Sequence, residues 1–248
     1  MTFNIRYDNP DDGENRWDNR KKELAEMLSY YHPDVFGLQE GLVQQLNFIK
    51  ENLTDYKMIG VGRDDGKEKG EFTAIFYDTT KLQLVDYATF WLSEKPDSVS
   101  VGWDAALERI CTYGLFQNIE NGKRVYVLNT HYDHIGKLAR VNSSKLLLKK
   151  ITALSKENIP IVLMGDFNST PEEDPIKILA NDLVDGGSKG IYGPLGTFNG
   201  FDKQAVLENR IDFIFYKDLI VESYRNIDDK MKNGNCVSDH LPVLIQFQ

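Results

Sequence analysis

Cysteine and positive charge are what this 248-residue sequence has least of. Its two cysteines, Cys111 and Cys236, are too few and too far apart for a disulfide scaffold or a zinc ribbon, and sequence alone leaves open whether they pair. Lys and Arg number 29 against 38 Asp and Glu, a formal charge of -9. That is the reverse of what holds a protein on nucleic acid by bulk electrostatics, so a phosphate-bearing partner would need local cations or a metal. No apolar run approaches the ~20 residues of a membrane span, so no stable membrane insertion is expected. No basic-then-apolar leader precedes Thr2. Because the strand pattern begins almost at Met1, the compartment of this soluble chain stays open: cytoplasmic, or secreted or periplasmic with a leader absent from this chain. Repeats, linkers and low-complexity tracts are missing as well, and 41% hydrophobic content over this length suffices for a full core. A single domain over 1–248 is expected, as a monomer with no evident protein partner.

What is present centres on residues 161–171, Ile-Val-Leu-Met-Gly-Asp-Phe-Asn-Ser-Thr-Pro. The apolar run 161–164 is too short for a helix and reads as a strand buried on both faces, ended by Gly165. Asp166 and Asn168 then fall two residues apart, on one side, where open α/β folds place their chemistry. A polar turn is the plain alternative.

Earlier in the chain, residues 1–7 read as a strand with Asn4 on the same face as Arg6. Leu24, Met27, Leu28 and Tyr31 have helical spacing, stopped by Pro33. A second buried strand, 35–39, hands over to Glu40, and Leu42, Leu46, Ile49 and Leu53 mark another helix. Strands then dominate: 56–61, 72–77, 82–92, 111–119 and 124–129, which implies antiparallel pairing. Asn121-Gly122 predicts a two-residue hairpin turn with both residues at positive φ. Residues 93–109 form a long loop, expected at the rim of a site. After 129–136, Asn-Thr-His-Tyr-Asp-His-Ile-Gly, a helix is expected through about Lys156, then a short one capped by Asp174 with Pro175 in its first turn. Strands at 210–216 and 242–247 close the chain.

Six strand ends thus carry a polar or ionisable group: Asn4, Glu40, His131, Asp166 with Asn168, Asp212, and Asp239 with His240. Each has a bland version: an exposed strand residue, a capping charge, a satisfied core imidazole or a turn. Together they are the types that a metal-and-phosphate site needs at one sheet rim. Attack of water on a phosphodiester must neutralise charge on the leaving oxygen, activate the water and hold the phosphate in line. Magnesium, with a few hard oxygen ligands and several waters, suits Glu40 helped by Asp239 or Asn4, and manganese is a possible substitute. Asp166 is the candidate to orient and deprotonate water, with Asn168 positioning it. His240, kept cationic by Asp212, would bind phosphate oxygens.

These segments, 2–6 (Thr-Phe-Asn-Ile-Arg), 38–40 (Leu-Gln-Glu), 129–131 (Asn-Thr-His), 165–168 (Gly-Asp-Phe-Asn), 210–212 (Arg-Ile-Asp) and 238–240 (Ser-Asp-His), resemble the endonuclease/exonuclease/phosphatase superfamily from end to end. The resemblance implies an α/β fold, a four-layer α/β/β/α sandwich of two mixed sheets face to face with helices outside, and magnesium-dependent phosphoester hydrolysis. It also implies Glu40 as main metal ligand, Asn4 and Asp239 in the metal and phosphate shell, and Asp166 with Asn168 as the water-handling pair. His240 is then the phosphate-contacting histidine and Asp212 the carboxylate orienting it, while the role of His131 is left unsettled. Arg6 stands where some branches carry a second metal-shell aspartate, which favours one tightly held metal. Residues 90–93 and 102–109 look similar to a bacterial subgroup likened to carbon catabolite repressor-type deadenylases, so that Arg109, Trp103 and Trp91 are candidates for a substrate groove. Packing is the plainer reading of the two tryptophans.

Residues 131–134, His-Tyr-Asp-His, also resemble part of a metallo-β-lactamase signature, but Asn129 stands where a histidine is required, and four histidines in all cannot furnish a dinuclear zinc site. His134 and Asp133 are instead placed beside His131, with His134 touching substrate. The expected substrate is a small or single-stranded phosphodiester, with an RNA 3′ end leading. The alternatives are a phosphatase, a phospholipid or inositol phosphodiesterase, or a non-catalytic binding protein on the same scaffold.

Overall fold

The computed structural model describes residues 1–154 and 158–248. Two six-stranded mixed sheets face each other. The first has the order β11-β12-β1-β2-β4-β3, built from β1 (Thr2–Asn4), β2 (Val35–Gly41), β3 (Tyr56–Ile59), β4 (Phe72–Asp78), β11 (Val221–Asn226) and β12 (Val243–Phe247). The second has the order β5-β6-β7-β8-β10-β9, from β5 (Leu82–Trp91), β6 (Ile110–Asn118), β7 (Arg124–His131), β8 (Ile161–Asp166), β9 (Val184–Asp185) and β10 (Asp212–Lys217). One pair in each sheet is parallel, β1 with β2 and β7 with β8, and the other pairings are antiparallel.

Three apolar clusters make four layers. Helices α1 (Trp17–Tyr31) and α2 (Val43–Asn52) pack Leu24, Leu28, Leu46 and Ile49 against Phe3, Phe36 and Phe76 of the first sheet. Helices α3 (Lys137–Leu154) and α4 (Asp174–Ala180) set Leu147, Ile151, Ile176 and Leu179 on Leu128, Leu163 and Phe213 of the second. Between the sheets lie Ile75, Phe116, Val127, Val162, Met164, Ile214 and Val243. β8 supplies both inner layers, Leu163 outward and Val162 and Met164 inward, which is why its run is continuously apolar. This is the expected α/β/β/α sandwich. No helix among the described residues is long and apolar enough to cross a membrane.

One polar staple crosses the inter-sheet core and fixes how the sheets register. Asn129 Nδ2 donates to Leu38 O (3.0 Å) and Ala74 O (2.9 Å), and its Oδ1 accepts from Gln39 Nε2 at 2.6 Å. Gly37 makes room for it, since a Cβ there would sit 2.6 Å from Asn129 Cγ.

Local differences from the sequence reading have local causes. Glu40 lies inside β2 at a register shift between Leu38 and Gly41, rather than beyond the strand, and His131 and Asp166 are the last residues of their strands. The 6–7 hairpin forms, but only Gly122 takes positive φ; Asn118 Oδ1 accepts the N–H groups of Glu120 and Asn121 and builds a longer turn. Glu173, not Asp174, holds the N-cap position of α4, and its carboxylate accepts the Thr170 N–H rather than a helix N–H. Strands β9 and β11 carry too weak an alternation to be expected. β1 ends at Asn4, and Arg6 at φ 55 breaks the alternation that would have set it beside Asn4. Cys111 and Cys236 are both free and buried. The helix end expected near Lys156 lies outside the described residues.

Candidate active site

Strand register does most of the assembly. Asp166 at the end of β8 is paired with His131 of β7 on one side and Asp212 of β10 on the other. Residues directly opposite in a pleated sheet present their side chains to the same face, so an imidazole and two carboxylates form a row. Asn4 reaches this row from the other sheet, its Nδ2 donating to Asp166 Oδ2 (2.9 Å) and Glu40 Oε1 (3.0 Å). Glu40 Oε2 accepts the Tyr7 N–H at 3.1 Å. Ser238 Oγ donates to Asn4 O at 2.7 Å and so seats the segment carrying Asp239 and His240. His240 then brings Nδ1 to 2.8 Å from Asp212 Oδ2 and Nε2 to 3.7 Å from Asp166 Oδ2. Asn168 Nδ2 lies 3.1 Å from His131 Nε2 and donates to Tyr132 O at 2.9 Å. All six strand-end groups of the sequence reading therefore meet at one mouth.

Charge in this low-dielectric pocket is tightly coupled. Burial, and then the neighbouring Asp212, push the Asp166 carboxyl up to about 7. Burial opposes a charged His240, yet Asp212 and Asp166 outweigh it and hold the imidazole well above its ordinary value. His131 goes the other way: burial, with Arg109 and Arg63 nearby, keeps it well below its ordinary value and neutral. Asp239 is raised by burial, with Glu40 adding to the effect.

The donor chemistry fits a hard divalent cation at Glu40 and Asp239, whose carboxylates oppose each other's charge; Asn4, expected in the metal shell, instead turns Nδ2 to Glu40, its Oδ1 accepting the Arg6 N–H at 3.0 Å. A tighter group competes: Asp166, Asp212 and His240 bring ligand atoms within 4.8 Å of one another. We assign that group to an ion pair. Asp212 Oδ2 already accepts from His240 Nδ1 and, at 2.6 Å, from Thr197 Oγ1.

A second ring supports the first. Arg109, only 5% exposed, sends Nε toward Asp133 Oδ2 (3.4 Å), Nη1 to His131 Nδ1 (3.2 Å) and Nη2 to His134 Nδ1 (2.9 Å). Arg63 Nη1 is 2.6 Å from Glu71 Oε2, which lies 3.8 Å from His131 Nδ1. Trp91 belongs to the core, its indole N–H donating to Arg63 O, whereas Trp103 is partly exposed on the 93–109 loop.

Sequence reasoning missed Arg63, Glu71, Thr197 and Arg20. The first three lie in loops or a strand start without periodicity to mark them. Arg20 did leave a signal, falling on the same helical stripe as Leu24 and Leu28. It is fully buried and grips the carbonyls of Asn15, Ile5, Arg6 and Val237, joining the two segments that carry Asn4 and Asp239 to the turn at Asn15.

Backbone strain collects here too. Arg6, Glu40 and Asn168 have φ of 55, 63 and 46, the left-handed region that costs a non-glycine residue about 1–2 kcal/mol. Gly165 is obligatory for another reason: a Cβ would stand 2.0 Å from Thr130 O of the neighbouring strand. A cleft of about 1320 Å³ opens between the sheets at the other end, past Val35, Lys81, Arg124, Pro160 and Phe247, and holds none of these groups.

The profile of the Endonuclease/Exonuclease/phosphatase family matches residues 1–240. The chain belongs to that family. As a member of the endonuclease/exonuclease/phosphatase family it is a hydrolase acting on phosphoester bonds. Its fold is similar to that of a mannosyl-6-phosphatase from Bacteroides thetaiotaomicron, with a TM-score of 0.96 and 39% identity over 100% of this chain and 98% of that one. Among curated relatives, the Saccharomyces cerevisiae "probable RNA exonuclease NGL3" is 32% identical over 64% of this chain and 34% of its own length. The CCR4-Not complex 3′-5′-exoribonuclease subunit Ccr4 of Mycosarcoma maydis is 23% identical over 93% of this chain and 46% of its own. The chain therefore spans about a third to a half of these exonuclease relatives.

Proposed function

We propose that this endonuclease/exonuclease/phosphatase family member is a divalent-metal-dependent phosphatase acting on small phosphorylated sugars. One observation carries the reading: the cations around the mouth are committed to internal carboxylates. Arg63 is paired with Glu71, Arg109 with Asp133 and Arg6 with Asp12, in a chain of net charge -9. A groove that tracks a polyanion needs free cations along its length; a site for one terminal phosphate does not. The full-length likeness to a mannosyl-6-phosphatase supports the same substrate class.

In this reading Glu40 and Asp239 would hold the metal, with Asn4 Nδ2 steadying the Glu40 carboxylate. Bound there, magnesium or manganese supplies charge neutralisation to the phosphoryl and leaving oxygens. Asp166 orients the attacking water and takes its proton, for which a carboxyl raised to about 7 is suited. Asn168 positions that water. His240 binds a phosphoryl oxygen as imidazolium, and Asp212 keeps it charged and aimed.

A second reading, trimming of single-stranded RNA from its 3′ end, is favoured by the exonuclease relatives. Turnover of mannose 6-phosphate, other hexose phosphates, bis-p-nitrophenyl phosphate and single-stranded RNA, each with and without EDTA, separates the two. The expected result is metal-dependent phosphate release from sugar monoesters, lost in Asp166→Ala, with little RNA shortening. Efficient RNA trimming without monoester turnover would transfer the assignment to the exonuclease.

A further inference from the structure

Among the described residues the Arg109 guanidinium is the one group that touches both His131, at the end of β7, and His134, in the turn that follows. It meets Nδ1 of each, at 3.2 Å for His131 and 2.9 Å for His134. Arginine has five N–H donors, no acceptor, and does not give up its proton in proteins. Each Nδ1 that receives such a donor must therefore present its lone pair, and the ring proton of a neutral imidazole is left on Nε2. Asp133 anchors the arrangement. It is 1% exposed, takes Arg109 Nε on Oδ2, and on Oδ1 accepts the N–H groups of Ile135 and Gly136 at 3.0 and 2.7 Å. The same carboxylate so fixes both the arginine and the turn that carries His134.

We propose that Arg109 is a positioning residue that locks His131 and His134 as neutral imidazoles protonated on Nε2, making both of them hydrogen-bond donors toward the site. The two donors have different addresses. His131 is 6% exposed, and its Nε2 faces Asp166 Oδ2 at 3.5 Å, so its N–H is available to the inner site, where the phosphoryl group is expected. His134 is exposed, with Nδ1 held by Arg109, so its Nε2–H is left to solvent, where it suits a hydroxyl or oxyanion of a substrate that extends beyond the phosphorus.

A contest at His131 makes the inference sharp. Asn168 Nδ2 approaches Nε2 at 3.1 Å while Arg109 Nη1 approaches Nδ1 at 3.2 Å, and a neutral imidazole has one lone pair for two donors. The guanidinium is charged and donor-only, and its charge-assisted bond is the stronger claim. The Asn168 amide already has an acceptor in Tyr132 O. On this assignment His131 is not the acid that protonates the leaving group, because it carries one proton between two groups and is not cationic at rest.

The donor assignment does not depend on which phosphoester is the substrate; only the destination of the two N–H groups rests on the proposed phosphatase reading. It can be read without turnover. With four histidines in the chain, long-range proton–nitrogen NMR of the 15N-labelled protein resolves every ring, and His32→Gln, His134→Gln and His240→Gln assign them. In their neutral forms His131 and His134 should each show a pyridine-type Nδ1 and a pyrrole-type Nε2. Arg109→Lys keeps the charge but loses the fork, so His134 should become a tautomer mixture and kcat should fall roughly 10–100-fold with KM little changed. A wild-type spectrum in which the neutral ring of His131 or His134 carries its proton on Nδ1 overturns the proposal, and it decides the matter even where Arg109→Lys does not fold. An Arg109→Lys variant that folds and leaves both tautomers unchanged also overturns it.

Discussion

His240 Nδ1 lies 2.8 Å from Asp212 Oδ2, and the same oxygen accepts Thr197 Oγ1 at 2.6 Å. One fully buried carboxylate thus both charges the histidine and is itself held in place. Asp212→Asn keeps the shape but loses the charge that raises His240. Its kcat on a sugar phosphate should drop by roughly 100-fold or more, with thermal stability near wild type. Steady-state kinetics beside a melting curve check this, and near-normal kcat would remove the role given to Asp212.

Thr197 bonds Asp212 from its hydroxyl and accepts the N–H groups of Ile211 and Asp212 at 3.1 Å each. Thr197→Val keeps the volume and leaves these groups without a partner. We expect destabilisation of about 1–3 kcal/mol by urea unfolding, with a fall in kcat that follows the loosened Asp212.

Glu40 sits at φ 63, so the usual strand preference should invert there. In a strand, glycine is worse than alanine by roughly 0.5–1 kcal/mol. At this position Glu40→Gly should be the more stable of the two, because only glycine adopts the left-handed region without strain. Both variants should lack turnover. Equal unfolding midpoints, or a more stable Glu40→Ala, would contradict a strained backbone at the proposed metal ligand.

Removal of divalent metal by EDTA should abolish turnover, and added magnesium or manganese should restore it. In Glu40→Gln the magnesium concentration giving half-maximal rate should rise roughly 10–100-fold. If instead Asp212→Asn carried that shift and Glu40→Gln did not, the tighter Asp166, Asp212 and His240 group would be the metal centre.

Burial alone would raise Asp133, but the N–H groups of Gly136, Ile135 and Ala106 and the Arg109 guanidinium overcome it and hold the carboxyl at about 2. A folded-state value below the unfolded one, about 3.9, stabilises the fold above that unfolded value. The contribution is lost as pH falls from there through about 2. Urea midpoints of wild type and Asp133→Asn should therefore differ at neutral pH and converge on acidification; a gap independent of pH would mean that packing, not charge, is what Asp133 supplies.

Alternation and apolar runs in the sequence were enough to mark most strands and helices, because burial on one face or two is a local pattern. They also placed Asn4, Glu40, His131, Asp166, Asp212 and His240 at strand ends, and a strand end is a local property too. What no local pattern carries is register. That Asp166 lies between His131 and Asp212, that Asn4 crosses from the other sheet to touch both Asp166 and Glu40, and that Ser238 seats Asp239 and His240 on β1 all follow from which strands became neighbours. The supporting ring was hidden for the same reason. Arg63 and Glu71 stand in loop and strand-edge positions that look solvated in one dimension, and Arg109 acquires two histidine partners 22 and 25 residues away only when β6 pairs with β7. Residue types set which chemistry is possible, since oxygen donors, an acid-base pair and a cation must exist before they can meet. Tertiary structure decided their protonation, because a charge in a buried cluster answers to neighbours within a few ångströms, and those neighbours come from the far ends of the chain.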